Sequence, residues 1–306
     1  MTVSRMSRDG LTRPTGYCGA VNAQTNPLLN PRAVILGGAL AAAQARTFPN
    51  VRAFCKALGI STPRYYELKR GVVIPDEALL TRMADHLAMS EAERTRAFDL
   101  QARALGLAPT GATAIVHQAK IVADLEKTAS RMITWSPNEI PGILHTGELA
   151  RAVLGRQLTG SELEFGVSVQ VSRRDLRNIN PMSITAVLGE RALWSNIGGA
   201  ATMLNQLRHL LKLATRDTLT IRVDLMLGDQ WHAGYKGPFT QYDFDDDPSV
   251  IHAERVGEGE FHVDLDNDTA TLYRSATRII DEDSMNPDES IAYISSVIAQ
   301  RERATS

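Results

Sequence analysis

The stretch that most constrains the fold of this 306-residue chain is residues 50–75, NVRAFCKALGISTPRYYELKRGVVIP. Asn50 precedes an amphipathic stretch and can cap a helix, and Gly59 ends that stretch with the left-handed backbone that a side chain would resist. Ser61 or Thr62 can then cap a second helix. Pro63 lies in the first turn of that helix, where a backbone N–H would have no partner within the helix, so its absence costs no hydrogen bond. The pattern predicts two short helices joined by a tight turn.

The second of these helices has a polar and basic outward face. Tyr65 and Leu68 occupy the inward positions of helical spacing, and Gly71 ends the helix. A short helix held at an angle by a glycine turn, with such a face outside, is a helix-turn-helix that offers this face to the DNA major groove. The residues predicted to bind DNA are Lys56, Thr62, Arg64, Tyr66, Lys69 and Arg70.

Arg64 is the predicted base-reading residue, because a guanidinium one turn into this helix can donate to two acceptors of guanine. Thr62 and Tyr66 can reach a phosphate or a thymine methyl group, and the other basic side chains of the set are placed near the DNA backbone. The alternative is a helical bundle used for protein contacts, in which Arg64 is an ordinary solvated side chain.

The flanking stretches predict three further helices. One precedes the motif at 30–47, a second is opened by Pro75-Asp76-Glu77, and Ser90 with Glu93 forms a capping box for the third. Five short helices, with the turn between the second and the third, resemble the λ-repressor-like (XRE-type) DNA-binding domain.

Charge is distributed unevenly along the chain. Residues 1–108 contain 14 Lys and Arg against 8 Asp and Glu, and the remainder contains 19 against 27. A basic amino-terminal third joined to an acidic remainder is typical of a polyanion-binding module attached to a second domain. Because the excess of positive charge is modest, double-stranded DNA as the partner implies a homodimer.

The remaining chain predicts an α+β domain after a boundary of small residues and proline at 107–113. Helices are predicted at 114–131, 146–154, 162–178, 199–215, 269–281 and 288–303, and strands at 183–190, 219–227, 239–244, 250–254 and 260–264. The predicted fold class is therefore mainly α with an α+β second domain: a five-helix domain, then a small, mainly antiparallel sheet flanked by helices. The predicted organisation is a flexible tail at 1–29, a helix-turn-helix domain at 30–108 and a sensor or interaction domain at 114–303.

A second resemblance covers this half of the chain. Residues 139–154, EIPGILHTGELARAVL, are similar to the Pro-Gly-Leu-Leu-Gln-Thr segment of an actinobacterial group of XRE-type regulators whose carboxy-terminal domain is described as antitoxin-like. Further similar segments follow in the family's order at 190–194, 203–207 and 237–239. The resemblance implies DNA binding by the first domain, and a second domain that senses a small-molecule ligand or a small acidic partner protein.

Aromatic and histidine side chains are the candidates for a ligand site in the second domain, because aromatic rings with a few polar groups can line a small-molecule pocket. The predicted set is Trp135, His145, Trp194, Trp231 and His232. The commoner use of tryptophan is as an anchor in a core or a loop.

Two histidine–carboxylate pairs alternate on the predicted strands, so that each pair points to one face: His252 with Glu254, and His262 with Asp264. The spacing permits an acid–base pair or a metal pair, and a solvated strand face is the commoner alternative.

The sequence contains no nucleotide-binding loop, no nucleophile elbow and no metal-binding cysteine spacing, so no catalytic residue, cofactor or metal is predicted. No apolar stretch reaches the roughly 18 residues of a membrane span, and the first 30 residues lack the apolar core of a secretory signal. Two cysteines, Cys18 and Cys55, fit a reducing cytoplasm, and Cys55 is predicted to be a buried thiol.

These observations predict a cytoplasmic, dimeric transcription regulator. Val51 and Thr62 stand where the resembled regulators carry glutamine, one of which can hold a phosphate. This difference leaves an alternative open, an enzyme or dedicated small-molecule binder of a biosynthetic pathway built on a regulator-like scaffold.

Overall fold

The computed structural model of the protein describes residues 30–107, 114–176, 182–255, 259–265 and 268–305. Its amino-terminal part consists of helices, which are Pro31–Thr47 (α1), Val51–Leu58 (α2), Thr62–Lys69 (α3), Glu77–His86 (α4) and Glu91–Gly106 (α5). The predicted tail and nearly all of the predicted domain boundary lie outside the described residues.

Side-chain caps fix the ends of these helices, and the predicted caps are confirmed. Asn50 caps α2, Ser61 caps α3, and Ser90 with Glu93 forms the capping box of α5. Gly59 has a φ of 71°, the left-handed conformation that glycine adopts without strain. Helices α2 and α3 are therefore joined by the tight turn that the sequence predicts.

The carboxy-terminal part combines helices with a sheet. In chain order its elements are α6 (Ala114–Thr128), β1 (Arg131–Ser136), α7 (Gly147–Leu154), α8 (Gly160–Leu176), β2 (Ser183–Gly189), α9 (Glu190–Trp194), α10 (Ala200–Leu213), β3 (Leu219–Asp224), β4 (Phe239–Asp243), β5 (Val250–Ala253), β6 (Glu260–Val263), α11 (Asp268–Asp283) and α12 (Pro287–Thr305). No helix within the described ranges is long and apolar enough to cross a membrane.

The strands form one sheet in the order β3-β2-β1-β4-β5-β6. Strands β1, β2 and β3 run parallel to one another, and the pairings β1–β4, β4–β5 and β5–β6 are antiparallel. The predicted fold class, mainly α with an α+β second part, is confirmed. Antiparallel pairings are the majority, and the parallel pairings at one side make the sheet mixed.

Strand β1 at the centre of the sheet corrects two predictions. The helix predicted at 114–131 ends at Thr128, and the segment that follows it, for which the sequence predicts no strand, is β1. Five of the six β1 residues are buried. A strand that is covered on both faces has no polar–apolar alternation, so the sequence lacks the period-two signal.

Alternation along the strands places side chains on two faces of the sheet. One face, which we call the α6 face, carries Met132, Thr134, Thr240, Tyr242 and His252. The opposite face is covered by α11, whose alanine and isoleucine side chains pack against a separate cluster that includes Trp135 and Phe239. The sheet therefore lies between helical layers.

Arg32 of α1 joins the amino-terminal helices to the second part of the chain. Its side chain is only 1% exposed. Its Nε donates to Asp124 Oδ2 of α6 at 2.8 Å, its Nη1 donates to Asp247 Oδ2 at 3.3 Å, and its Nη2 donates to the Thr128 hydroxyl. The guanidinium also lies 5.0 Å from the centre of the Phe244 ring. These contacts fix α1 against α6 and the loop between β4 and β5.

The contact between the two parts extends beyond this residue. Arg96 of α5 donates to Asp247 at 2.6 Å, and α1 packs against β6. Leu265 lies so close to Gly38 that a Cβ there would be 2.6 Å from its Cδ1. One hydrophobic cluster includes side chains of α1, the sheet and α12, so the two parts share a continuous core.

We expect Arg32→Met to lower the free energy of unfolding by about 3 kcal/mol, because it leaves two partly buried carboxylates without their shared cation. Urea unfolding followed by tryptophan fluorescence measures this change. The matched control is Arg46→Met on the same helix, whose exposed pair with Glu93 contributes about 1 kcal/mol or less. Equal losses in the two variants would contradict the role assigned to Arg32.

Candidate nucleic-acid interface and ligand pocket

The outward face of α3 is exposed, while its inward face packs on α1 and α2. Tyr65 and Leu68 are both buried, as predicted. The Arg64 side chain is 46% exposed and Tyr66 is 45% exposed. Of the other residues predicted to bind DNA, Lys56, Lys69 and Arg70 are exposed and Thr62 is half-buried. The predicted recognition face is therefore in contact with solvent.

Local contacts hold α3 in place without covering this face. The Tyr65 hydroxyl donates to Gln44 Oε1 of α1 at 3.1 Å, and burial raises the pKa of Tyr65 to about 12, so it stays a neutral donor. On the outer side, Arg64 Nη1 lies 3.5 Å from Glu67 Oε2. An exposed pair this loose contributes little and can give way to a stronger acceptor such as a phosphate.

Charge on the helix-turn-helix is strongly positive. Between residues 50 and 75 there are five lysine and arginine side chains, and Glu67 is the one acidic side chain before the acidic start of α4. A cationic surface of this kind attracts the phosphates of a nucleic acid and releases their counterions.

The five residues predicted to form the ligand site lie in separate places rather than around one cavity. Trp135 and His232 are buried neighbours on the α11 side of the sheet, with ring centroids 6.1 Å apart. Trp194 and Trp231 are 41% and 62% exposed. His145 lines a pocket on the opposite, α6 face of the sheet.

This pocket has a volume of about 260 Å³ and lies between the α6 face, α6, α8 and the segment that follows β1. Its apolar wall includes Val122, Met132 and Ile143. Its polar wall includes Gln118, Glu139, Gln170, Arg173, His252 and Glu254. Most of these side chains come from different elements, so only the folded topology brings them together.

His252 is a neutral group in the wall of this pocket. Burial, followed by the nearby charge of Arg173, lowers the pKa of His252 to about 3. The side-chain amide of Gln118 donates to His252 Nε2 at 2.7 Å, which leaves the ring proton on Nδ1. The ring stacks on Phe261 with centroids 4.6 Å apart. The solvated strand face that was the commoner alternative is therefore wrong for His252.

The second predicted histidine pair does not belong to this pocket. His262 is buried and stacks on Tyr273 of α11, with ring centroids 5.9 Å apart. Asp264 forms an ion pair of 2.6 Å with Arg274. Within the described residues, no group of three or more His, Cys, Asp or Glu side chains is arranged to hold a metal ion.

Arg173 forms an ion pair with Glu126. Its Nε donates to Glu126 Oε2 at 2.8 Å, and its Nη2 donates to the other oxygen of the same carboxylate. The Glu126 side chain is only 4% exposed. Burial, and then the negative charge of Glu126, raises the pKa of Tyr242 well above its ordinary value. The fork-shaped contact uses Nε and Nη2 of Arg173, and the carboxylate of Glu126 compensates its positive charge.

Two further carboxylates, Glu139 and Glu254, have no such partner. Neither forms an ion pair with any residue that the structure describes. Burial raises the pKa of Glu139. Glu254 keeps contact with solvent at the mouth of the pocket, yet its dense surroundings, followed by repulsion from Glu139, raise its pKa as well. The pocket therefore contains more negative charge than its own cation compensates.

The part of the chain that builds this pocket lies largely within a region that matches a known protein family. Residues 120–296 match the family described as Domain of unknown function (DUF5753). The match spans more than half of the 306 residues, so the chain belongs to the DUF5753 family. No curated protein and no solved structure matches the chain.

We expect Glu254→Gln to raise the melting temperature of the free protein at neutral pH. A carboxyl group whose pKa is raised by folding destabilises the folded state when it is ionised, and this cost disappears as the pH falls below its unfolded value near 4.5. The stability gain of the variant should therefore shrink between neutral pH and pH 4.5. Circular dichroism melts across this range measure the effect.

The matched control for this experiment is Glu162→Gln, which removes an exposed carboxylate at the start of α8. This variant should show no pH-dependent gain. A lower melting temperature of Glu254→Gln at neutral pH would contradict the unfavourable charge that we assign to the pocket.

Proposed function

We propose that this protein is a cytoplasmic, dimeric transcription regulator of the XRE type, in which α3 enters the DNA major groove and the second part of the chain receives a signal. The observation that carries the proposal is the exposed basic face of α3, which is held by a glycine turn and by the buried Tyr65–Gln44 hydrogen bond. The family supports it, because DUF5753 domains commonly follow XRE-type helix-turn-helix domains.

In this proposal Arg64 reads a guanine and the remaining basic side chains neutralise phosphates. The Arg64 guanidinium stands one turn into α3, where it can donate to the O6 and N7 atoms of guanine. Lys56, Lys69 and Arg70 supply the salt-dependent part of the affinity. A dimer would bind two half-sites and so double the contacts that one short helix can make.

Helix α6 is the proposed route by which the second part influences DNA binding. Gln118 and Val122 of this helix line the pocket, while Asp124 and Thr128 hold Arg32 of α1. Helix α1 in turn carries the acceptor for Tyr65, so it touches the recognition helix directly. An occupant of the pocket that shifts α6 would therefore move the support on which α3 rests. The small, partly enclosed pocket favours a small-molecule signal over an acidic partner protein.

We expect Arg64→Ala to weaken binding to the DNA upstream of the protein's own gene by about 1–3 kcal/mol and to relax discrimination at one base pair. Lys69→Ala should weaken binding to all sequences similarly. Because it removes one phosphate contact, it should also reduce the slope of log affinity against log salt concentration by about 1. Fluorescence anisotropy at several salt concentrations measures both effects.

The control for these variants is Arg278→Ala, which removes an exposed arginine of α11 far along the chain from the motif. It should leave DNA affinity unchanged. If Arg64→Ala and Arg278→Ala had the same affinity as the unmodified protein, the assignment of α3 as the recognition helix would be wrong.

A second candidate function is an enzyme or dedicated small-molecule binder that uses the regulator scaffold without binding DNA. The observation that favours it is the pocket, in which a neutral histidine and two carboxyl groups of raised pKa share one wall. Groups with perturbed pKa values in a cleft are typical of functional sites. Absence of DNA affinity at low salt, together with tight binding or turnover of a small molecule, would select this alternative.

A further inference from the structure

We propose that the pocket on the α6 face of the sheet binds a small organic cation with N–H donors, a primary ammonium or a guanidinium compound that carries no carboxylate. The biological role of this ligand rests on the function proposed above, in which the second part of the chain receives a signal. The binding itself follows from the charge, the hydrogen-bonding groups and the size of the pocket.

The negative charge of the pocket favours a cationic ligand. Arg173 forms its ion pair with the Glu126 carboxylate and attracts Glu254 without pairing with it, so the negative charge of Glu139 and Glu254 exceeds the positive charge that remains for them. Arg255, at the rim, is 66% exposed and its guanidinium lies 3.0 Å from the carboxylate of Glu260. Two carboxylates in one partly enclosed space repel each other, and a cation placed between them replaces this repulsion with attraction.

The hydrogen-bonding groups of the pocket favour a ligand that donates hydrogen bonds. Gln170 Oε1 is buried and has no hydrogen-bond partner among the described residues. A Cβ added at Gly142 would lie 2.9 Å from this oxygen, so the glycine leaves room for the amide at the pocket wall. A buried acceptor without a donor destabilises the protein, and the N–H group of a ligand would remove that cost.

Several other polar groups of the wall bond within the protein. The hydroxyl groups of Thr134 and Thr240 lie 3.1 Å apart and bond to each other. His252 Nε2 accepts from Gln118 and the ring carries no charge. Glu139, Glu254 and Gln170 offer a ligand acceptors, which a carboxylate or a phosphate could not satisfy.

The size and the apolar wall restrict the ligand further. A volume of about 260 Å³ lies below the roughly 300–1,000 Å³ of sites for drug-sized molecules. Val122, Met132 and Ile143 offer an apolar surface to an alkyl chain. The pocket thus suits an alkyl amine or alkyl guanidine, whereas an amino acid would bring a carboxylate that Glu139 and Glu254 repel.

Isothermal titration calorimetry of the full-length protein without DNA tests the proposal. The probes are agmatine, which has a guanidinium and an ammonium group, arginine, which adds a carboxylate to the same skeleton, and the neutral 1,4-butanediol. We expect agmatine to bind with a Kd below about 1 mM, arginine to bind at least about tenfold more weakly, and butanediol to give no signal.

Variants locate the site. Glu139→Gln and Glu254→Gln should each weaken agmatine binding by at least about tenfold, because each removes one of the two negative charges that face the ligand, and Gln170→Met should weaken it too. Glu162→Gln, an exposed change of the same kind, should leave it unaltered. With the unmodified protein, affinity should fall as the pH is lowered from neutral, because Glu139 and Glu254 have raised pKa values and lose their charge early.

The proposal is overturned if agmatine gives no binding signal, if arginine or butanediol binds as well as agmatine, or if Glu139→Gln and Glu254→Gln bind agmatine normally. A flat pH profile of the unmodified protein overturns it even if the variants do not fold. The regulator proposal can fail independently of this one. Arg64→Ala should bind agmatine as tightly as the unmodified protein does, whether or not the protein binds DNA.

Discussion

The buried guanidinium of Arg32 is the interaction on which the arrangement of the whole molecule depends. A guanidinium withdrawn from water is stable only when its charge and its donors are satisfied, and here Asp124, Asp247 and Thr128 satisfy them. Helix α1, which carries Arg32, also carries Gln44, whose side-chain oxygen accepts a hydrogen bond from Tyr65 of α3. The same helix is thus held on one side by the second part of the chain and supports α3 on the other. Helices α6 and α3 are therefore linked through α1 by direct contacts, which is the route that we propose for a signal.

The two candidate sites have opposite electrostatic character, and this follows the uneven charge of the sequence. The face of α3 is cationic and open to solvent, which suits a large polyanion that binds from outside. The pocket is small and anionic, because the one arginine in its polar inner wall, Arg173, is neutralised by Glu126. DNA cannot enter such a pocket, and a small cation has nothing to hold it on α3. In the function that we propose, this separation would let one protein bind two ligands of opposite charge without competition between them.

Features that depend on neighbouring residues could be predicted from the sequence. The caps at Asn50 and Ser90 and the left-handed Gly59 are local signals, and all three are present. Strand β1 was missed because its strand character comes from pairing with β2 and β4 rather than from its own pattern. The partners of Arg32 lie 92 and 215 residues away along the chain, so no local pattern could identify it. His252 and Glu254, which the alternation places on one face, both line the pocket, whereas Trp135 is a core anchor. Glu139, Gln170 and Arg173 lie on separate elements and meet only through the topology.

Hydroxyl-radical footprinting of the DNA upstream of the gene, at low salt, tests the central claim most directly. If α3 is the recognition helix of a dimer, two protected patches should appear on one side of the duplex, with centres about one helical turn or roughly 34 Å apart. Protection should disappear when Arg64, Lys69 and Arg70 are replaced together by alanine. No protection by the unmodified protein, or the same footprint from the triple variant, would contradict the account.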